Sequence, residues 1–362
     1  MSIEGYRGNE LKAPITQAIS VAWKSPSNIA LVKYWGKKGR QLPVNPSLSM
    51  SLGVAFTETR VTAKPRLHSG PLALEFIFEG MPNPAFGERI SGFLLEMEQI
   101  FPFLKDVDLL IETSNTFPHS SGIASSASAF SALALCLCEL EEELSGIPVP
   151  DFYKLASYVA RLGSGSAGRS VYGGFTLWGK TDALQGSDDE FAVPVNVHPK
   201  FHELRDAIIL VNKGKKKVSS SGGHKRMESH PFATARVQQA GQNIQNLLNA
   251  LGSGDIDTFI KITENEALTL HALMMTSDPG FILMDPETVR IINRIVELRE
   301  EYSIPMCFTL DAGPNIHLLY FEKDREQVQQ LIVEDLLKKD KQNWIDDSFG
   351  TGPERILFTH QD

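Results

Sequence analysis

The alternation of apolar and polar positions divides the chain into elements before any motif is considered. Residues 17–36 and 52–62 are β-branched and alternating, and they predict two strands separated by a Pro- and Ser-rich turn region at 43–51. Residues 72–79 alternate apolar with polar or acidic positions and predict another strand. Helical periodicity follows over 88–101, with Ile90, Phe93, Leu94 and Met97 on one side. A short strand at 109–113 leads through a Ser-rich loop into a long, apolar, Ala-rich helix over 128–144. A helix at 152–161, a Gly/Ser loop at 163–170, a strand at 175–178 and an acidic surface loop at 181–190 come next. The continuous apolar run 207–212 reads as a strand that opens a second domain near residue 200. Helices are expected at 237–251, 257–271 and 287–300, then strands at 307–310 and 316–321 around a tight turn, then a helix at 324–338. This mixture is α+β, with no internal repeat and no long low-complexity linker.

Composition narrows the class. At 362 residues the chain has room for two domains, and 42% hydrophobic with 22% charged residues is the balance of an ordinary globular protein. A net charge of −9 excludes a general nucleic-acid binder, which would carry a basic footprint. Cys136, Cys138 and Cys307 form neither a metal-ligand spacing nor an even disulfide set, which fits a reducing compartment. Glu4 and Glu10 interrupt the start of the chain, so no signal peptide is expected, and no apolar run is long enough to span a bilayer. A cytoplasmic location is the expectation.

Two segments carry the first chemical suggestion. The loop from Phe117 through Pro118, His119, Ser120, Ser121 and Gly122 to Ser125 and Ser126 leads straight into the apolar helix. Small residues there let successive N–H groups converge on an anion at a helix start, although a Ser-capped helix would use the same residues. Asp311 sits between an apolar strand and the turn Ala312-Gly313-Pro314-Asn315. It is either a turn aspartate bonded to its own backbone or a carboxylate held rigidly at a strand end. A third segment, Gly174 to Thr181, satisfies the spacing of a nucleotide-binding P-loop, but its context is wrong. Phe175, Thr176, Leu177 and Trp178 are strand formers, and an acidic loop follows instead of a helix. His198 and His202 are four apart, yet Pro199 argues against a shared helical face, so no metal centre is predicted.

Taken in order, four motifs resemble the diphosphomevalonate decarboxylase family of the GHMP kinase superfamily. They are Asn28-Ile29-Ala30 running into Lys33-Tyr34-Trp35-Gly36-Lys37, the Ser-rich loop, Gly163 to Ser170, and the turn at 311–315. The resemblance runs from about residue 20 to Pro353. It implies a ribosomal-protein-S5-like N-terminal domain, 1–200, which binds ATP, and a ferredoxin-like C-terminal domain, 201–362. It assigns the catalytic work to Asp311, Lys33 and Arg169. Substrate binding falls to Tyr34, Trp35, Gly36, Lys37, Ser164, Gly165, Ser166, Ala167 and Ser221, and ATP binding to Pro118, Ser120, Ser121, Gly122, Ser125 and Ser126. Arg89 is either a phosphate-gripping residue, as the resemblance implies, or a solvated residue in the first turn of a helix. ATP would bring Mg²⁺ with it, and a homodimer is common among such proteins.

The chain also departs from the family pattern. Ser219-Ser220-Ser221-Gly222-Gly223-His224 stands where Ser-Ser-Thr-Gln-Gly-Met is usual, His119-Ser120-Ser121 where Thr-Ala-Ala is commoner, and Gly168 where Cys is common. These changes touch the regions that grip phosphates. The basic run 213–217 either steers an anionic substrate or is a solvated face. The function implied is ATP-dependent decarboxylation of the small-molecule substrate mevalonate 5-diphosphate to isopentenyl diphosphate through a 3-phosphorylated intermediate. The alternatives are the same chemistry on the 5-monophosphate, a kinase that stops after phosphorylation, and a non-catalytic relative.

Overall fold

The computed structural model describes residues 5–11, 13–118, 123–212, 220–337 and 342–357, the side chains of Ser220 and Ser221 excepted. His119, Ser120, Ser121 and Gly122 of the Ser-rich loop lie outside the described residues, as does the basic run 213–217.

Two long strands, Ile19–Val32 and Ser47–Pro65, pair antiparallel and form the spine of an eight-stranded sheet. The second is longer than expected from sequence, because residues 47–51 continue the strand instead of turning. Ser47, Ser49 and Ser51 alternate with Leu48, Met50 and Leu52 at the period of a strand, and all six are buried, so the serines that suggest a turn are held inside the fold. From Ala55 onward burial itself alternates, with Val61 and Ala63 fully buried. Val107–Asn115 continues the sheet on one side, and Leu74–Phe78 pairs parallel to it. Phe175–Trp178 pairs with the start of the spine strand, all four residues buried, which removes the P-loop alternative on structural grounds.

The helix Ser125–Ser145 packs across this sheet. Ala132, Ala134, Leu135, Cys136, Leu137 and Cys138 are all fully buried, so the helix is apolar nearly all round and sits inside the layer stack. Phe152–Gly163 packs beside it.

A second sheet of four antiparallel strands, with Cys307–Thr309 and Ile316–Phe321 at one side and Leu204–Ile209 and Trp344–Ser348 at the other, is backed by the helices Ile256–Met275 and Pro286–Tyr302. One tie between the two sheets is made by a carboxylate. Asp347, on the second sheet, accepts N–H bonds from Gly53, Val54 and Ala55 at 2.7, 2.8 and 2.7 Å, and burial raises its pKa. The chain then returns to the first sheet, where Glu354 and Arg355 pair with Lys24 and Trp23.

Two further elements differ from expectation. The Gly/Ser segment is a 3-10 helix, Gly165–Val171, because small residues let a tight turn pack against the long helices. The final helix is α-helical only over Arg325–Leu331 and widens to a π-turn over Ile332–Leu336.

Candidate active site

The first spine strand is irregular where it approaches the site. Its register shifts between Pro26 and Asn28 and again between Ala30 and Val32. Pro26 cannot donate to the ladder, and such bulges re-aim the side chains that follow. Asn28 is thereby turned inward, and its Nδ2 donates to Ser170 Oγ at 2.8 Å and to the Ser166 carbonyl at 3.4 Å. Its Oδ1 accepts from Arg169 Nε and Nη2, both at 3.4 Å.

Arg169 is 2% exposed, and its remaining contacts are Ser47 Oγ and the Trp178 ring, 6.0 Å away. Among the described residues its hydrogen-bond partners are all neutral. Burial pulls its pKa down to about 10, opposed by Asp311 and Tyr34, so it stays cationic through the physiological range. A buried cation with only neutral partners is costly unless an anion joins it.

Lys33 follows the end of the strand and is equally buried. Its Nζ donates to Asp311 Oδ1 at 3.0 Å. Burial pulls the ammonium below the usual lysine range, against the opposing pull of Asp311 and Glu266. Asp311 is 27% exposed at its side chain and sits in the predicted turn, where the Gly313 N–H donates to its backbone carbonyl at 2.7 Å. His271 Nε2 lies 3.1 Å from the same carbonyl.

Tyr34 and Trp35 flank an imidazole that sequence reasoning noted only as a departure. The His224 ring lies 4.3 Å from the Tyr34 ring and 4.7 Å from that of Trp35. Its Nδ1 accepts the Gly36 N–H at 3.0 Å, which leaves Nε2 to carry the proton of the neutral ring. Burial, with Lys37 nearby, lowers its pKa to about 3. Gly36 itself has φ of 95°, a conformation that favours glycine, and this lets the strand turn sharply into the hairpin of Lys37 and Lys38 with Leu42 and Pro43. Lys37 Nζ donates to Gln41 Oε1 at 3.3 Å.

These residues line one cavity of about 300 Å³, the lower end of the usual size for a small-molecule site. Lys33, Tyr34, Trp35, Lys37, Arg169 and Asp311 form one part of its wall, and Ser126, Ser164, Gly165 and Ser166 another. Arg89 completes the rim, exposed, with its guanidinium 5.1 Å from the Phe130 ring centroid. Of the remaining sequence-based candidates, Gly36, Ala167, Pro118 and Ser125 do not line the cavity. Ser120, Ser121 and Gly122 lie outside the described residues, as does the Ser221 side chain. Asn28, Gln41 and His224 join the lining unforeseen as site residues. Asn28 sits inside a motif already singled out, whereas His224 reaches the site only through long-range packing.

The Ser126 side chain lies 3.2 Å from Ser164 Oγ at the mouth of the central helix. That helix begins with Ala124 at φ 40°, and among the described residues no side-chain cap hydrogen bond closes its start. Among the described residues no group of three His, Cys, Asp or Glu side chains could hold a metal ion.

A family model described as a diphosphomevalonate decarboxylase-like N-terminal domain matches residues 25–191, and one for the mevalonate 5-diphosphate decarboxylase C-terminal domain matches residues 207–359. The diphosphomevalonate decarboxylase of Aspergillus fumigatus is 31% identical over 322 residues, 84% of this chain and 77% of that relative. The chain belongs to the diphosphomevalonate decarboxylase family. Two solved structures extend the likeness to the fold of this decarboxylase family member. The mevalonate diphosphate decarboxylase of Staphylococcus aureus superposes with a TM-score of 0.82 at 29% identity, over 94% of this chain and 99% of that one. The protein MDDEF, solved in complex with MVAPP, AMPPCP and magnesium, gives a TM-score of 0.80 at 30% identity, over 94% of this chain and all of that one. The α+β, GHMP-type architecture of the family is therefore the architecture of this chain.

Proposed function

We propose that this decarboxylase family member converts mevalonate 5-diphosphate and ATP to isopentenyl diphosphate, ADP, phosphate and carbon dioxide. The observation that carries the reading is Arg169, a buried cation with neutral partners, lining the same cavity as the Lys33–Asp311 pair. Arg169 donates only to Asn28 and Ser47 among the described residues, which leaves its charge to be matched by an anionic group of the substrate. Decarboxylation supplies one, because the substrate carboxylate must be held and aligned.

In this reading Asp311 orients the C3 hydroxyl and takes its proton as the oxygen attacks the γ-phosphorus of ATP. Lys33, 3.0 Å away, keeps that carboxylate ionised and offsets charge on the phosphoryl oxygens. Phosphorylation turns hydroxide, a poor leaving group, into phosphate. The C3–O bond then breaks with its electrons leaving on phosphate. The electron-poor carbon draws in the electrons of the C–carboxylate bond, which become the new double bond as carbon dioxide departs from beside Arg169. Much of the catalysis is positional and electrostatic.

The start of the helix Ser125–Ser145, with Ser126 and Ser164 at its mouth, suits the phosphates of ATP. Pro118 and the segment through Ser120, Ser121 and Gly122 are assigned to the same task. Mg²⁺, when bound with ATP, neutralises phosphate charge, and the small number of carboxylates here fits an ion held mainly by phosphates and water. Lys37, Arg89 and Ser221 are assigned to the phosphates of the substrate, and Tyr34, Trp35, Gly36, Gly165, Ser166 and Ala167 to its shape. We divide the chain into an ATP-binding domain, 1–200, and a second domain, 201–362, whose last strand returns to the first sheet. Three free, buried cysteines fit work in a reducing cytoplasm.

A substrate panel tests the reading: ATP and Mg²⁺ with mevalonate, its 5-phosphate and its 5-diphosphate, following ADP and carbon dioxide together. Both products from the diphosphate in equal amounts are expected. Equal products from the monophosphate alone would change the substrate, and ADP without carbon dioxide would leave a kinase.

A further inference from the structure

The backbone of Lys33 is held from the other half of the molecule. Its strand has ended, so its N–H and carbonyl need partners outside the sheet ladder. The N–H donates to Glu266 Oε2 at 2.9 Å, and the carbonyl accepts from Arg236 Nη2 at 3.0 Å and Asn45 Nδ2 at 3.0 Å. Glu266 and Arg236 lie on the helices Ile256–Met275 and Ala233–Ser253, more than 200 residues along the chain. They face each other in a two-pronged ion pair at 2.6 and 2.7 Å, with Asn243 Nδ2 2.6 Å from Glu266 Oε1. Glu266 is fully buried and Arg236 is 3% exposed.

We propose that Glu266 and Arg236 are positioning residues that fix the backbone of Lys33, and with it the direction of its ammonium toward Asp311. This rests on the reading of Lys33 as part of the catalytic centre. Neutral groups could satisfy one N–H and one carbonyl without the desolvation cost of a buried ion pair, so hydrogen bonding alone is a weak reason for the charges. The geometry supplies another. Glu266 is the second carboxylate to face Lys33, beside Asp311, and it adds to the hold of the ammonium on its proton, against burial and the nearby Arg169. Among the described residues Arg236 and His271 also lie beside Lys33, and the His271 ring is held neutral by its own burial. Loss of the Glu266 charge therefore lets Lys33 lose its proton at lower pH.

The test compares Glu266→Gln with wild type in kcat and KM across pH, alongside a titration of Lys33 by NMR in protein carrying ¹⁵Nζ-lysine, with Lys33→Arg used only to assign the signal. The expected result is a fall in kcat of about 10²-fold, typical of a small misplacement of a catalytic group. KM should change little. The alkaline limb of the kcat profile and the Lys33 titration should both move to lower pH, and Glu266→Asp should restore the limb while recovering only part of kcat. A folded Glu266→Gln protein with wild-type kcat and pH profile would overturn the proposal. If that variant does not fold, Arg236→Met/Glu266→Met leaves neither charge stranded, and a wild-type limb in the double variant would overturn it equally. The NMR titration needs no turnover, so an unmoved Lys33 signal counts against Glu266 even where the substrate panel has already failed.

Discussion

Arg169 shows what one side chain can reveal and what it hides. The sequence offers an arginine at the end of a Gly/Ser segment, which only suggests anion binding. Its burial, and the neutrality of Asn28 and Ser47 around it, appear only once the chain is folded. Arg169→Ala is expected to lower kcat/KM roughly 10²–10³-fold, the scale for losing one preorganised charge contact. Arg169→Lys should recover little, because an ammonium cannot reproduce the planar fork. Steady-state kinetics with both variants check this, and an unchanged kcat/KM for Arg169→Ala would remove the residue from the site. Asp311 was legible only as one of two alternatives, a turn aspartate or a carboxylate at a strand end, until the resemblance of the neighbouring motifs singled it out. His224 was not legible, because its contacts with Tyr34, Trp35 and Gly36 join segments almost 190 residues apart.

At the scale of elements, most strands and helices follow from the periodicity of the chain, and the misses share a cause. The spine strand Ser47–Pro65 extends into the Pro- and Ser-rich region expected to turn, because distant carbonyls of Trp178 and Tyr172 accept from the buried Ser47 and Ser51 hydroxyls and hold the segment as strand. The bulge at Pro26 and Asn28 leaves no periodic trace, yet it aims Asn28 at Arg169. Close approach between backbones is equally silent. A Cβ added to Gly173 would sit 2.0 Å from the Thr351 carbonyl oxygen, a backbone atom that cannot swing aside. Gly173→Ala is therefore expected to cost about 1–3 kcal/mol of stability, the usual price of overpacking. Urea unfolding measures it, and a change within about 0.5 kcal/mol would show that the C-terminal segment yields freely.

Across the whole molecule, the sequence indicates two units but not how they are joined. The Asp347 clamp on residues 53–55, the return of Glu354 and Arg355 to the first sheet, and the hold on Lys33 are all long-range. They make the site dependent on both halves. The same packing sets a pH response. Burial lowers the pKa of His271 from 6.5 to about 4 and that of His224 to about 3, so the unfolded chain binds these protons first on acidification. Stability from these two rings is present above about pH 6.5 and is lost as pH falls toward 4 for His271 and toward 3 for His224, with a slope of up to about 1.4 kcal/mol per pH unit for each. Denaturant unfolding at pH 7 and pH 5 should show that loss, and His271→Gln should flatten it; an equal slope in the variant would exclude His271 as a source. The central claim, that one cavity couples phosphoryl transfer to decarboxylation through Asp311, is tested most directly by measuring ADP and carbon dioxide in the same reaction with mevalonate 5-diphosphate, for wild type and Asp311→Asn. The account predicts equal amounts of both from wild type and a rate lower by about 10²–10⁴ for both from the folded variant, the range for a positioned base. Carbon dioxide released by Asp311→Asn at near wild-type rate would contradict it.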